Sequence, residues 1–324
     1  MLAKSFLRTD VNHQARGRFA PSPTGRMHLG NVCAALVSWL SVKIKGGKWI
    51  LRIEDIDSQR SREQYARLIE DDLHWLGLDW DEGGYDESGS FGPFRQSLRT
   101  EYYEEVLESL RSKGLVYDCR CTRAELRAAS APHADDGRVL YSGRCRPQSV
   151  ADNWNRLCEG LPPLTLPDDF GRGAARIYAP DLDICFDDMI CGPQSFNLAK
   201  ECGDFVLRRR DGEWAYQLAV VADDVAMGIT EIVRGEDLLL SAAQQIYLMR
   251  LLGAQSPQYA HFPLLRNAAG QRLSKRDGAM SLEELRTTQT PSQIIGTLAG
   301  MTGIMPDSTP VTPSEILSHY LRSE

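Results

Sequence analysis

Residues 18–31 read RFAPSPTGRMHLGN, in which a short apolar stretch runs into a turn rich in proline and glycine. This order predicts a β-strand that ends near Phe19 and a helix that begins at about His28. The free backbone N–H groups and the dipole at a helix N-terminus attract phosphate groups. His28 can donate a hydrogen bond to a phosphoryl oxygen, and Gly30 leaves room for a flat base. The stretch is a candidate nucleotide site, although a lone His-Leu-Gly also suits a capped turn with a surface histidine.

The segments that follow this stretch alternate between helix and strand patterns. They predict a helix over 29–45, a strand over 49–53, a helix from a capping box of Ser61 and Gln64 to Gly77, and a helix over 100–113. Proline after threonine, in Thr290-Pro291 and Thr312-Pro313, is typical of the first helical position, so the C-terminal part is expected to be helical. Strand and helix in alternation indicate an α/β fold with a parallel sheet.

The composition limits the class of protein. The 324-residue chain is 42% hydrophobic and 25% charged, which is ordinary for a globular protein of roughly two domains. Its net charge of −7 argues against nonspecific coating of nucleic acid, but a local basic group such as Arg208, Arg209 and Arg210 still allows an RNA partner. The polar N-terminus lacks a secretory signal, and no segment approaches the ~20 apolar residues of a membrane span. A cytoplasmic location and no membrane partner are therefore expected.

A second motif lies near the C-terminus, where residues 272–276 read RLSKR. Three cationic residues within five positions, in a loop flanked by Gly270 and Gly278, suit a polyphosphate. Lys275 would supply a compact positive charge against a leaving pyrophosphate. A basic loop by itself is also compatible with a solvated surface, so the argument depends on both motifs together.

Together with three further segments, these motifs resemble the catalytic core of the class I glutamyl-tRNA synthetases. The further segments are ILRIEDID at 50–57, WAYQLAVVADD at 214–224 and IVRGEDLL at 232–239. The first motif corresponds to the HIGH signature of that family and RLSKR to its KMSKS signature, and the matches follow the family's order from Arg18 to Arg276. Asn31 stands where the general class I signature has histidine, and Arg272 replaces the usual lysine.

The resemblance implies a role for each matching position. It places the glutamate pocket at Arg18, Phe19, Ala20, Pro21, Ser22, Glu54, Tyr216 and Arg234. Arg18 and Arg234 would face the side-chain carboxylate, which suits the planar guanidinium fork, and Glu54 would receive the ammonium. The resemblance also places ATP, with its Mg²⁺, at His28, Gly30 and Lys275. Of these, His28 and Lys275 would be catalytic. Without the resemblance, the favoured interpretations are a core aromatic residue for Tyr216 and a surface ion pair for Glu54.

Three cysteines form a separate candidate site, in the pattern Cys119-Arg-Cys121 followed by Tyr141-x-x-x-Cys145. Three thiolates leave one corner of a tetrahedral zinc site open, and in the expected compartment clustered cysteines indicate metal more than disulfides. The residues alone leave the fourth ligand open between Tyr141 and a neighbour such as His133. The glutamyl-queuosine tRNA(Asp) synthetase branch of the family has a similar Cys-x-Cys…Tyr-x-x-x-Cys pattern, which implies that Tyr141 completes a structural Zn²⁺ site.

The resemblance implies a Rossmann-type parallel sheet of the class I synthetase fold, an inserted acceptor-type subdomain that binds zinc, and a short helical C-terminal region. The implied division is an N-terminal extension over 1–16, the first half of the catalytic domain over 17–113, the insertion over 114–203, the second half with the RLSKR loop over 204–276, and the helical region over 277–324. The stretch from Lys275 to Glu324 is shorter than the ~100 residues of a typical additional domain, so no anticodon-binding domain is expected.

In the expected lack of an anticodon-binding domain, the chain also resembles the glutamyl-queuosine tRNA(Asp) synthetase branch. That branch places glutamate on queuosine in the anticodon of tRNA(Asp). The implied partners are ATP, L-glutamate and queuosine-containing tRNA(Asp), with the protein as a monomer. Two alternatives stay open. One is a truncated glutamyl-tRNA synthetase that charges a tRNA 3′ end, and the other is a catalytically inactive paralogue that only binds RNA.

Overall fold

The computed structural model describes residues 4–7, 15–122, 124–126, 140–165, 171, 173–265 and 281–322. Lys275 with the rest of the RLSKR segment and His133 lie outside the described residues. Within these ranges, none of the helices combines the length and the apolar character needed to cross a membrane.

Two β-sheets organise the described residues. The strands are β1 (Arg16–Phe19), β2 (Lys48–Leu51), β3 (Glu82–Gly83), β4 (Val116–Cys119), β5 (Ala174–Ile177), β6 (Asp183–Asp188), β7 (Gly192–Asn197), β8 (Phe205–Arg208), β9 (Glu231–Gly235) and β10 (Gln258–Phe262). The larger sheet has the order β3-β2-β1-β9-β10-β6-β7. Its strands from β3 to β6 pair in parallel, and β7 pairs antiparallel with β6 at the edge. The expected α/β fold with a parallel sheet is thus confirmed, with one antiparallel strand added.

The helices cover both faces of the larger sheet. They are α1 (Leu29–Ile44), α2 (Glu63–Leu76), α3 (Thr100–Arg111), α4 (Gln148–Cys158), α5 (Tyr216–Ala226), α6 (Leu239–Leu251), α7 (Leu282–Arg286), α8 (Pro291–Thr302) and α9 (Pro313–Arg322). In α1, Val32, Leu36 and Leu40 recur every four residues and are fully buried in the core on one face of the sheet. Helices α3, α5 and α6 contribute to a second core cluster.

The ends of the helices test the local predictions. Gly77 ends α2 in the left-handed region, with φ 77°, as expected. The predicted capping box of Ser61 and Gln64 is wrong, because the Ser61 N–H closes a turn onto the Asp57 carbonyl and α2 begins two residues later at Glu63. At α8, Thr290 and Gln293 do form a capping box before Pro291, which confirms that prediction.

The expected limits of the insertion do not coincide with the limits of the sheets. The smaller, antiparallel sheet has the order β4-β5-β8, so β8 belongs to it although residues 205–208 follow the expected boundary. Strands β6 and β7 lie within 114–203 but belong to the larger sheet, which β6 joins by pairing with β10. In the N-terminal extension, Phe6 and Leu7 are also buried in the core that contains α1.

Candidate active site

A cavity of about 560 Å³ opens at the carboxyl ends of β1 and β9, in the middle of the larger sheet. The strand order reverses at β1, which pairs with β2 on one side and β9 on the other, and open α/β sheets bind ligands at such a point. The predicted site residues that line this cavity are Arg18, Phe19, Ala20, Pro21, Ser22, His28, Gly30, Glu54, Tyr216 and Arg234. Every predicted glutamate or ATP residue in the described part of the chain therefore lies at one cavity.

Each charged group reaches the cavity from the end of a regular element. Arg18 lies on β1 and Arg234 on β9, Glu54 follows β2, and Tyr216 is the first residue of α5. His28 is the N-cap residue of α1. The five side chains are 10 to 216 residues apart in sequence and meet because parallel strands and their following helices present the same edge.

A chain of alternating charges runs beneath the cavity. The Nε of Arg18 donates to Asp224 Oδ1 over 3.2 Å, and Arg52 Nη1 donates to the same oxygen over 2.7 Å. Arg52 Nη2 then donates to Glu54 Oε1 over 3.1 Å. All four side chains are buried. Because each charge has an opposite neighbour, the chain holds Arg18 and Glu54 in place without leaving a buried charge unpaired.

The burial changes the titration of these groups. Burial raises the pKa of the Glu54 carboxyl above its usual value, although Arg52 and Arg18 oppose this rise. Burial would also raise the pKa of Asp224, but Arg18 and Arg52 outweigh it and hold that pKa below its usual value. The pKa of the Tyr216 phenol is raised, again chiefly by burial. Asp224 is therefore an anionic partner of the two arginines, and Tyr216 is neutral at pH 7.

Asp223, next in the chain, anchors the arrangement from behind. Its carboxylate accepts hydrogen bonds from Arg99 Nε at 2.6 Å, Gln96 Nε2 at 2.7 Å and Tyr103 Oη at 3.0 Å. Its side chain is fully buried. The two aspartates of the segment 214–224 therefore differ in their contacts, since Asp224 binds Arg18 of the cavity wall and Asp223 fixes α5 to α3.

A second polar group, which the sequence analysis missed, holds Arg234. The Nε of Arg234 donates to His261 Nε2 over 3.0 Å, and Nη1 donates to Gln245 Oε1 over 2.9 Å. His261 Nδ1 lies 2.6 Å from Asp188 Oδ2. The available signal was an ionisable residue inside or at the end of a strand, as His261 is in β10 and Asp188 in β6. Arg52 was missed in the same way, as the buried arginine of ILRIEDID.

His28 lies beside Ser281, which is the first described residue after the segment that contains Lys275. Its backbone pairs with Ser281, and the Leu282 N–H donates to the Met27 carbonyl over 2.9 Å. The His28 N–H donates to Asn31 Oδ1 over 3.3 Å. On the other side of the undescribed segment, Leu265 lines the cavity. Of the described residues next to that segment, Leu265 therefore lines the cavity, and Ser281 pairs with His28, which lines it.

A buried carboxylate links the first motif to α7. Asp72 Oδ1 accepts from Arg26 Nη2 at 2.7 Å and from Arg286 Nη1 at 2.6 Å. Arg26 also lines the cavity, and the side chain of Asp72 is fully buried. This contact fixes α7, which follows the undescribed segment, against α2 and the turn before His28.

The three cysteines form a cluster at the smaller sheet. The sulfur atoms of Cys119, Cys121 and Cys145 all lie within 4.8 Å of one another, and Cys121 Sγ is 3.5 Å from Cys145 Sγ. A tetrahedral zinc thiolate site has sulfur atoms about 3.8 Å apart, since Zn–S bonds are about 2.3 Å, so the spacing fits a metal ion. The hydroxyl of Tyr141 is 3.5 Å from Cys119 Sγ and accepts from the Cys145 N–H over 2.7 Å. The expected cysteines therefore do converge, with Tyr141 beside them.

Curated relatives match nearly the whole chain. A family profile described as "tRNA synthetases class I (E and Q), catalytic domain" matches residues 14–310. The chain is 47% identical over 302 residues to the Glutamyl-Q tRNA(Asp) synthetase of Nitratidesulfovibrio vulgaris, which covers 93% of this chain and 90% of that protein. It is 45% identical over 305 residues to the protein of the same name from Symbiobacterium thermophilum, with the same two coverages.

A solved structure agrees with the fold. The glutamate tRNA ligase of Elizabethkingia meningosepticum, solved in complex with its amino acid, matches with a TM-score of 0.75 and 30% identity over 94% of this chain. The match covers 64% of that enzyme, so this chain spans less than two thirds of its length. With the profile match, the identities and the cavity at the reversal of strand order, the chain belongs to the class I aminoacyl-tRNA synthetases of the glutamate and glutamine type, a family of ligases.

Proposed function

We propose that this protein activates L-glutamate with ATP and transfers the glutamyl group to queuosine in the anticodon of tRNA(Asp). The observation that carries the proposal is the pair of arginines, Arg18 and Arg234, on the wall of a cavity that also contains Glu54. The 47% identity over nearly the whole length of a protein named Glutamyl-Q tRNA(Asp) synthetase supports the choice of acceptor.

The charges of the cavity suit an acidic amino acid. A glutamate side-chain carboxylate fits between the guanidinium groups of Arg18 and Arg234, because arginine binds carboxylates through parallel N–H donors. The ammonium group of the substrate is assigned to Glu54, whose Oε1 already accepts from Arg52. Tyr216 closes the pocket as a neutral phenol, together with the backbone and side chains of Phe19, Ala20, Pro21 and Ser22.

ATP is assigned to the N-terminus of α1. The free N–H groups there, with His28 and the side-chain-free surface of Gly30, suit the phosphates and the base. Lys275 is proposed as the second phosphate ligand, since Leu265 and Ser281 bring the chain to the cavity on both sides of its segment. The Mg²⁺ ion that accompanies ATP offsets phosphate charge when it is bound.

The proposed reaction has two steps. An oxygen of the glutamate α-carboxylate attacks the α-phosphorus of ATP, and the bond to the leaving pyrophosphate breaks, which gives glutamyl-adenylate. His28 and Lys275 donate hydrogen bonds to the phosphoryl oxygens as their charge increases. A hydroxyl of the queuosine cyclopentenediol then attacks the adenylate carbonyl carbon, and AMP leaves. The protein contributes mainly by holding the reactants in contact.

The cysteine cluster is proposed to hold a structural Zn²⁺ ion. Cys119, Cys121 and Cys145 would be three ligands, and the Tyr141 hydroxyl is the fourth group at the cluster. Bound zinc would tie β4 to the chain around 141–145, and so fix the part of the molecule that is assigned to tRNA contact.

The second candidate function is ordinary charging of a tRNA 3′ end. It is favoured by the 30% identity with a glutamate tRNA ligase of known structure. Both candidates require glutamate-dependent exchange between ATP and pyrophosphate. We expect the wild-type protein to catalyse this exchange, and Lys275→Ala to slow it far more than it weakens glutamate binding. An equal loss in both quantities would contradict the role of Lys275, and no exchange in the wild type would contradict adenylate formation.

A further inference from the structure

We propose that His261 and Asp188 are positioning residues that fix the guanidinium of Arg234, and thereby set the affinity of the cavity for an acidic side chain. The inference rests on the proposed function for the identity of the substrate. The hydrogen bonds that connect the three residues do not depend on that identity.

The proton positions follow from the donors and acceptors in the cluster. An arginine Nε always carries a proton and cannot accept, so His261 Nε2, 3.0 Å away, is the acceptor. The proton of the neutral imidazole is therefore on Nδ1, which donates to Asp188 Oδ2 over 2.6 Å. The arrangement admits one tautomer only, and Asp188 selects it.

Asp188 is itself held in one orientation by backbone groups. Its Oδ1 accepts from the N–H groups of Ile190, Cys191 and His261 at 3.0, 2.8 and 3.1 Å. Burial alone would raise the pKa of this carboxyl, but the hydrogen bonds from His261 and from these backbone groups hold that pKa below its usual value. Asp188 is therefore an anion, and its second oxygen, Oδ2, is held in position facing the imidazole.

The contacts of Arg234 leave its positive charge available to a ligand. Of its nitrogens, Nε contacts the neutral His261, Nη1 the amide of Gln245, and Nη2 the Leu238 carbonyl at 3.3 Å. Among the described residues, no carboxylate forms an ion pair with it, whereas Arg18 is paired with Asp224. A guanidinium that is oriented by neutral acceptors keeps an uncompensated positive charge at the cavity wall, which favours a substrate carboxylate over an amide.

The same geometry makes the contact sensitive to pH. Burial lowers the pKa of His261 below its usual value, and Arg234 lowers it further, against the opposing effect of Asp188. The other ionisable groups around the ring are Tyr259, whose ring stacks on it at 5.9 Å, and Cys191, whose thiol donates to the His261 carbonyl. If the ring gains a second proton, its Nε2–H faces the Arg234 Nε–H, and the two donors repel each other.

The decisive variant is Asp188→Asn. Its Oδ1 still accepts from the three backbone groups, but its amide nitrogen faces His261 Nδ1, so the ring proton moves to Nε2 against Arg234. We expect the glutamate KM in ATP–pyrophosphate exchange to rise about tenfold, the effect of one misplaced buried hydrogen bond, with the ATP KM unchanged. The matched control is Asp187→Asn, an exposed neighbour on β6, which should change neither value.

A second readout does not depend on activity. In ¹⁵N-histidine NMR, we expect His261 to carry its proton on Nδ1 in the wild type and on Nε2 in Asp188→Asn, with the signal assigned by its loss in His261→Gln. The glutamine amide oxygen can accept from Arg234 and does not titrate. The glutamate KM of His261→Gln should therefore stay level as the pH falls below about 6.5, whereas that of the wild type rises.

Several outcomes would overturn the proposal. An unchanged ring tautomer in Asp188→Asn would do so, as would a switched tautomer without any change in glutamate KM. Equal rises in the KM of glutamate and ATP would reduce the pair to a structural role. Absence of glutamate-dependent exchange in the wild type would instead contradict the proposed function, and the tautomer of His261 would still decide the hydrogen-bond arrangement by itself.

Discussion

Arg52 Nη1 donates to Asp224 Oδ1 over 2.7 Å, and neither side chain has access to solvent. The same oxygen accepts from Arg18, so one carboxylate is shared by two arginines 34 residues apart in sequence, one on β1 and the other directly after β2. Removing a buried partner leaves a charge without compensation, which is more costly than losing an exposed pair. Asp224 thus connects the stability of the sheet to the shape of the glutamate pocket.

We expect Asp224→Asn to lower the free energy of unfolding by about 3 kcal/mol, because Arg18 and Arg52 lose their shared anion. Urea denaturation at pH 7 measures this. The control is Asp211→Asn, which removes only an exposed pair with Arg209 and should cost less than about 1 kcal/mol. Equal effects of the two variants would show that the buried chain of charges does not stabilise the fold.

Glu82 should make the free energy of unfolding depend on pH in the acidic range. Two hydrogen bonds from Arg16, at 3.0 and 2.7 Å, lower the pKa of Glu82 to about 2. A carboxyl whose folded pKa is depressed contributes stability above its unfolded pKa of about 4.3, and this contribution is lost as pH falls towards the folded value. Between pH 5 and pH 2, Glu82→Gln should therefore lose less unfolding free energy than the wild type. A parallel decline in both proteins would contradict this assignment.

Asp72 should affect ATP chemistry from a distance. It ties Arg26, on the cavity wall, to Arg286 in α7. We expect Asp72→Asn to slow the turnover of ATP–pyrophosphate exchange by about tenfold or more, because small displacements of reacting groups are costly. Asp71→Asn is the matched control, since Asp71 also contacts Arg286 but is exposed. A loss of similar size in both variants would argue that the contact with Arg26 is unimportant.

The cysteine cluster predicts metal content. The purified protein should contain one zinc ion per chain, measured by mass spectrometry of the metal. Cys145→Ser should lose the ion, whereas Cys158→Ser, an exposed cysteine in α4 outside the cluster, should keep it. Because the cluster does not line the cavity, loss of zinc should reduce transfer to tRNA more than exchange. Wild-type protein purified without metal would contradict the site.

Much of the site could be predicted from continuous segments. RFAPSPTG, ILRIEDID and IVRGEDLL each place a cavity residue at or near the end of a strand, and the resemblance of these segments to the synthetase family singled out Arg18, Glu54 and Arg234. The convergence of Cys119, Cys121 and Cys145 also follows from their spacing. These groups could be singled out because each lies in a motif of a few consecutive residues, and the structure brings them together, while their roles stay predictions.

The missed features depend on contacts between distant residues. Asp188 meets His261 from 73 positions away, and Arg52 meets Asp224 from 172. Neither pairing has a local signature beyond an ionisable residue in a strand or directly after one. Likewise, β6 joins the larger sheet through its pairing with β10, which is distant in sequence. The predicted capping box at Ser61 is wrong because the Ser61 N–H closes a turn onto the Asp57 carbonyl instead.

The central claim is most directly tested by transfer of labelled glutamate to purified tRNA(Asp) with and without queuosine, beside tRNA(Glu). The account predicts that the label appears on queuosine-containing tRNA(Asp) and on neither of the other two. Label on tRNA(Glu) would contradict the account and would support the alternative function, the charging of a tRNA 3′ end.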